Sequence, residues 1–358
     1  MGKEDGGKRT QTALLFPLLG GGILILVLAD LAFGSVRIPF GGVLQALAGR
    51  AGEESWNAIV GVFRIPKTIT AILAGSALAA SGLILQSVFR NPLAGPDSLG
   101  IGAGASIGVA LLMLATGPGA SSLFGSLATA GYAALALAAS LGAAAVLAVI
   151  LFLSRKFEKG VTLLIVGLLI GYLTGSMVSL LVYFGSPQKV QLYMGWTFGS
   201  FSTVRLSELP VFAASIGAGL LLTLKSSKAL NAFIIGESFA GTLGIHVKRD
   251  RTRLLAAAAI LAGCATAFCG PIAFLGIAAP QAARRLFRSS DHRVLLPGAM
   301  LVGIIISLLA DIVSQSPGGG SVLPINPLLA LIGAPIILAM FVRGGREQGG
   351  GDMTGGGR

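Results

Sequence analysis

Cys264, Cys269, His246 and His292 are the only cysteines and histidines in the chain. The two cysteines lie five residues apart inside an apolar run, a spacing that puts them on different faces of a helix. They read as small buried apolar residues, not as a disulfide or metal pair. The histidines are far apart in sequence, which argues against a metal or haem site built from them. Gly2-Lys3-Glu4-Asp5-Gly6-Gly7-Lys8-Arg9 has the spacing of a phosphate loop until Arg9, where Ser or Thr should bind magnesium. No strand precedes it. Gly100, Gly104 and Gly108 are four apart, which makes a smooth stripe for helix packing and not a nucleotide loop. No catalytic triad or carboxylate pair is visible. The expectation is a chain with no catalytic residue, no metal site and no cofactor of its own, so any work it performs draws energy from another subunit.

The elements that carry these residues are apolar. Of 358 residues, 54% are hydrophobic and only 11% charged, with a mean hydropathy of +0.86. A soluble domain carries about 25% charged residues. Glycine is high, at 53 residues, as in membrane helices whose backbones approach closely. A crossing helix needs roughly 20 mainly apolar residues. Ten such spans are predicted: 13–33, 68–88, 98–116, 130–153, 161–184, 206–224, 254–269, 272–286, 294–313 and 327–342. The start is read as a retained first helix, since no small-x-small cleavage site follows it. Residues 1–12 are expected as a cytoplasmic tail, 13–343 as one polytopic transmembrane domain, and 344–358 as a Gly-rich disordered cytoplasmic tail.

Charge orients the spans. The net charge of +12 would suggest nucleic acid in a soluble protein. With the N-terminus inside, the inner segments hold 20 of the 26 Lys and Arg residues, and the outer ones 6. That bias is the positive-inside rule, so the charge is a topology signal. No span carries a charge near its middle; Asp30 and Asp311 fall toward outer ends. This weakens a secondary transporter, the rival reading, because coupled carriers commonly use intramembrane ionisable groups.

Two segments do not span. Residues 188–202 lie outside and predict a short interfacial or re-entrant helix, with Tyr193 and Trp196 at headgroup depth. Residues 225–253 lie inside, with Leu230, Phe233, Ile234, Phe239, Leu243 and Ile245 spaced like one or two short amphipathic helices. A linker needs no such stripe, and neither does a purely structural membrane protein. It predicts a docking surface. An internal repeat is also visible. Gly75-Ser-Ala77-Leu-Ala79-Ala-Ser-Gly82 and Gly263-Cys-Ala265-Thr-Ala267-Phe-Cys-Gly270 share G-x-A-x-A-x-x-G in the second and seventh spans. Those spans run in opposite directions, as in the inverted repeats of transport folds.

Ordered motifs then carry a family resemblance. Arg64-Ile-Pro-Lys67, the Gly75–Gly82 run, Gln86, Arg90-Asn91-Pro92-Leu93-Ala94-Gly-Pro96 and Leu99-Gly100 lie in the first half. Gly236-Glu237, Leu243-Gly244-Ile245, Cys269-Gly-Pro-Ile, Asp291-His292-Arg293, Leu309-Ala310-Asp311 and Ile332-Gly333-Ala334-Pro335 follow. Together they resemble the FecCD-like permeases, membrane subunits of ABC importers for iron-siderophores, haem and vitamin B12. The resemblance implies an all-α, BtuC-like type II importer permease of ten helices in the bacterial inner membrane. It implies a second permease subunit, identical or a paralogue, and an external substrate-binding protein. It also implies two cytoplasmic ATPase subunits that bind the ATP and Mg. By position, Asn91 and Leu93 would lie at the cytoplasmic gate with Lys159, Gly160 and Val161 beside it. Glu237, Leu243, Gly244 and Ile245 would couple to the ATPase, and Arg64 and Lys67 would dock the binding protein. Read as residues alone, Arg64 and Lys67 equally suit interfacial anchors, and Asn91 a turn cap. Gln281, Val322 and Asn326 depart from the family's usual His, Glu and Gly. Some members carry a basic docking residue near Gln315.

Overall fold

The computed structural model describes residues 2–34, 36–49, 54–114, 121–156, 160–242, 244–316 and 322–349. Among them the regular structure is helical. In chain order the helices are α1 (Gly2–Ala32), α2 (Phe40–Leu47), α3 (Glu54–Ala58), a π-helix (Ile59–Arg64) and α4 (Ile65–Phe89). A 3-10 turn (Pro96–Leu99) leads into α5 (Ile101–Leu114), then α6 (Ser121–Lys156), α7 (Gly160–Phe184) and α8 (Pro187–Thr197). A second 3-10 turn (Phe201–Thr203) precedes α9 (Leu209–Lys225), α10 (Ser227–Ile235) and α11 (Glu237–Thr242). The chain closes with α12 (Val247–Cys269), α13 (Leu275–Phe287), α14 (His292–Ser314) and α15 (Ile325–Gly349).

Each of the ten predicted spans falls on a helix: α1, α4, α5, α6, α7, α9, α12, α13, α14 and α15. Six described helices are long and apolar enough to cross a bilayer unaided, and α9 with α10 makes a seventh bent by 58°. The short spans have a physical cause. Both α5 and α13 follow irregular backbone, at Arg90–Gly100 and Gly270–Phe274, which takes up part of the crossing. Such backbone survives at membrane depth only where protein covers it. Protein covers the middle of each stretch: Ala94, Gly95 and Pro96 are buried, and so are Gly270 and Ile272, while Pro92 and Leu93 are exposed.

The packing repeats with the direction inverted. In the first half α5 lies against α6 and α7; in the second α13 lies against α14 and α15. Across the halves α4 packs on α14 and α13, as α12 packs on α6 and α5. The repeated glycines sit at equivalent crossings. A Cβ on Gly75 would meet Gly303 of α14 at 2.6 Å, and one on Gly263 would meet Ala143 of α6 at 3.4 Å. Lipid tails supply no hydrophobic drive between helices, so close backbone approach and dispersion must do that work. The Gly104–Gly108 stripe serves this end: a Cβ on Gly104 would meet the Gly142 carbonyl of α6 at 2.6 Å. α4 is the central post, with 83% of its apolar window buried; only 17% of the α7 window is.

Residues 2–12 continue α1 as helix. Three expectations are corrected. α15 likewise runs on to Gly349, so 344–349 are helical; 350–358 lie outside the described residues. Lys248, Arg249, Arg251 and Arg253 form the first turns of α12, not a loop. Arg64 and Lys67 lie within continuous helix from Glu54 to Phe89, not in an outer connection. The outer segment 188–202 holds α8 as predicted, but Tyr193 is buried and stacks on Trp196 at 6.4 Å.

Candidate functional site

Three constructions lie along the α4–α14 pair: a chamber at one end, and a turn and a helical hairpin at the other, which the charge bias assigns to the outer and inner side in turn. The chamber has a volume of about 1220 Å³ and is lined by Gly34 and Val36 just beyond α1, the π-helix and first turn of α4, the end of α14 and the segments 198–207 and 322–325. Arg64, Lys67, Asp311 and Gln315 form part of its wall, beside Phe63, Phe198 and Leu323.

Arg64 and Lys67 do not present free charges at the rim. Both are buried, at 5% and 6% exposure. The Arg64 guanidinium donates to the carbonyls of Leu31 at 2.6 Å and Ala32 at 3.0 Å, and also to that of Val36. It thereby caps the last turn of α1, where carbonyls lack helical partners. Lys67 Nζ stands 3.2 Å from Asp30 and 2.5 Å from Asp311. Thr68 Oγ1 donates to Asp30 at 2.5 Å, and Gln315 Nε2 to Asp311 at 2.8 Å. The sequence reading noticed both aspartates but not that one lysine joins them. Two acids and one lysine, each near an outer helix end, were the available signal. Gln315 serves the same network through its bond to Asp311.

At the inner end α4 stops at Arg90, which takes a left-handed φ of 48°. Asn91 Oδ1 then accepts the Leu93 N–H at 2.9 Å, a turn closed by its own side chain. Leu93 is left half-exposed. Gln281 Nε2 donates to the Pro92 carbonyl at 2.9 Å, tying α13 to this turn. The 3-10 turn that follows touches α7, where a Cβ on Gly167 would meet Leu99 at 2.7 Å. Val161, at the start of α7, is exposed, while Lys159 lies outside the described residues.

The segment 225–253 is a hairpin, not a loose connection. α10 buries Leu230 and Phe233 completely and α11 buries Ala240, while Ile235 and Phe239 face outward. Gly236 at φ 141° and Gly244 at φ 75° make the bends on either side of α11. Both angles suit glycine because a Cβ would be strained there. Ile245 packs on the core. Leu243 lies outside the described residues, and Glu237 begins α11.

Two polar hubs escaped the sequence reading. Asn326 Oδ1 accepts the Ala273 N–H at 3.0 Å, and its own N–H donates to Phe198 at 3.0 Å. It thus pins α15 and the α12–α13 break to the outer segment. His292 lies between Ser87 at 2.6 Å and Asn231 at 2.7 Å. Asp291 caps α14, accepting from Arg293 N–H at 2.9 Å and from Asn231 Nδ2 at 2.8 Å. Those two donors, the backbone one first, hold its carboxyl below the usual range.

A polytopic helical bundle whose two halves pack alike around a chamber at one end has the architecture of a membrane transport protein. This chain belongs to the FecCD transport family, whose model matches residues 22–343. It is 33% identical to the hemin transport system permease protein HmuU of Yersinia pestis, over 95% of this chain and 98% of that one. It is 32% identical to the vitamin B12 import system permease protein BtuC of Salmonella typhimurium, over 90% and 93% of the two chains. A metal-chelate type ABC transporter in an inward-facing conformation matches with a TM-score of 0.79 and 26% identity, covering 92% of this chain and 99% of that one. The chain is thus a multi-pass permease subunit of an ABC importer.

Proposed function

We propose that this permease carries an iron-siderophore across the bacterial inner membrane, with ATP hydrolysed in two partner ATPase subunits. The hairpin α10–α11 carries the reading: it is anchored by Leu230 and Phe233 and presents Ile235 and Phe239 to the inner side. An anchored base with an apolar outer face suits a contact that transmits force. Glu237, Leu243, Gly244 and Ile245 complete that contact in this reading. Asn91, Leu93, Lys159, Gly160 and Val161 form the inner gate. A second permease subunit covers the exposed stripe of α7, which includes Ile165, Leu169, Tyr172 and Leu173. An external binding protein delivers to the outer chamber, whose volume of about 1220 Å³ suits a bulky chelate. The burial of Arg64 and Lys67 recasts them as supports of that docking face, not as its contacts. Haem and cobalamin are the other candidate cargoes, because the relatives named for hemin and vitamin B12 are equally similar.

The test is reconstitution in vesicles with a candidate ATPase and binding protein from the same organism. A ferric hydroxamate, a ferric catecholate, haem and cyanocobalamin are offered in turn. Uptake of a ferric siderophore that requires ATP on the ATPase side is expected. Uptake of haem or cobalamin alone would overturn the cargo. Uptake without the ATPase would overturn the mechanism.

A further inference from the structure

The hairpin reading requires that movement at the inner surface reach the membrane helices, and the structure contains one polar path that does this. It starts on α10 at Asn231, which is partly buried. Asn231 Oδ1 accepts the His292 backbone N–H at 2.8 Å, and its Nδ2 donates to the Asp291 carboxylate. These partners fix which way the amide points, because a carboxylate only accepts and a backbone N–H only donates. Oδ1 therefore also faces imidazole Nδ1 as an acceptor, so Nδ1 carries the proton. In the neutral ring Nε2 is then the acceptor for the Ser87 hydroxyl at 2.6 Å. His292 is fully buried and Ser87 almost so. Three elements that are remote in sequence, α10, α14 and α4, are joined through one imidazole.

The joint can open at little cost. Ser87 Oγ also lies 2.7 Å from the Leu83 carbonyl of its own helix. When the imidazole moves away, the hydroxyl turns to that carbonyl and no buried donor is orphaned. Beyond the joint, α4 and α14 behave as one strut. Ser307 Oγ donates to the Ala71 carbonyl at 2.8 Å, Gly75 lies against Gly303, and Lys67 pairs with Asp311 at the chamber. A displacement of α10 thus has a continuous packed route to the outer end. Arg90 adds a second contact, its Nη1 being 3.6 Å from where a Cβ on Gly236 would stand, between α10 and α11.

We propose that Asn231, His292 and Ser87 form the transmission joint that carries movement of the coupling hairpin to the α4–α14 strut and so to the outer chamber. This rests on the reading of 225–253 as the ATPase contact. The three are positioning residues; none touches the cargo in this scheme.

The complete importer tests it without a cargo. Ser202 is exposed in the chamber wall, so Ser202→Cys in a background lacking Cys264 and Cys269 reports the chamber by its maleimide labelling rate. Trapping the ATPase with ATP and vanadate should change that rate by about tenfold. Ser87→Ala should reduce the change to below about twofold with the ATPase still bound and basal hydrolysis kept, and Asn231→Ala should reduce it as far. The double variant should be no worse than the weaker single one, because both break one chain in series. A full labelling change in both single variants would overturn the joint, and so would losses that multiply in the double. If Asn231→Ala releases the ATPase, Ser87→Ala, which is not on the hairpin, decides alone. An ATPase that does not co-purify with the unaltered chain would overturn the hairpin reading itself.

Discussion

Lys67 Nζ lies 2.5 Å from the Asp311 carboxylate, with both side chains almost wholly buried, and Asp30 completes the network on the other side. Three helices, α1, α4 and α14, thus meet at one cation. Removing the lysine would leave two carboxylates facing each other in a poorly solvated site. Breaking a buried pair in this way costs about 3–5 kcal/mol, whereas replacing all partners by apolar groups can be neutral. Lys67→Met is therefore expected to lower the thermal unfolding temperature of the purified permease sharply. Lys67→Met with Asp30→Asn and Asp311→Asn should recover most of the loss. A single variant as stable as the parent would show that the network carries no structural weight.

The basic-residue split puts α10–α11 inside and α8 outside. Single cysteines at Lys228 and Lys189, in a background without Cys264 and Cys269, should react with an impermeant maleimide from opposite faces of the membrane. Labelling of both from the same face would refute the topology.

The coupling hairpin predicts a separation of folding from assembly. Phe239 is half-exposed, and Phe239→Asp removes no packing from the core. In an interface it would bury an unpaired carboxylate, at a cost of several kcal/mol. Leu243→Asp is expected to act in the same way. Both variants should purify as folded permease that no longer retains the ATPase, with uptake lost and binding-protein docking kept. Normal co-purification together with normal uptake would move the coupling contact elsewhere.

Glycines in this chain divide by what a Cβ would meet. On Gly82 it would enter the backbone of Gly276, while on Gly171 and Gly175 it meets nothing within 4 Å. Gly82→Ala should cost about 1–3 kcal/mol or more, because backbone cannot move aside as a side-chain end can. Gly171→Ala and Gly175→Ala should be neutral or slightly stabilising, by up to about 1 kcal/mol, since alanine favours helix. Expression level and thermal stability of the three variants in detergent give the comparison.

Asp291 caps α14, so Asp291→Ala should cost about 1 kcal/mol at neutral pH. Its folded-state carboxyl is held below the ordinary value near 4, first by the Arg293 N–H and then by the Asn231 amide. The cap therefore contributes fully above about pH 4 and loses its effect as pH falls through the lower folded value. The stability gap between parent and Asp291→Ala should close on acidification across that window. A gap that stays constant down to the acid limit of folding would show that the charge of the cap does not matter.

Much of the architecture was legible because hydropathy, charge bias and glycine spacing are local properties. Gly104 and Gly108 announced a close crossing, and α6 supplies it. The stripe through Leu230 and Phe233 announced helices inside, and α10 and α11 stand there. Arg64 and Lys67 were misplaced for a local reason. Two bases beside a proline look like the end of a span, yet a π-turn at Ile59–Arg64 directly precedes Pro66 and the helix runs on across it. The helix from Glu54 therefore passes through them and carries both charges inside.

Taken alone, the amino-acid order determined that this chain lives in a bilayer and where its apolar helices lie. Each follows from the solvation of a segment by lipid or water, which neighbouring residues decide. Only the tertiary structure decided who neutralises whom. Ser87 and His292 are 205 residues apart, and His292 and Asn231 are 61 apart. Nothing in either neighbourhood specifies its partner. A buried polar group must find a complementary one, and which one it finds depends on helix crossings that close backbone packing sets.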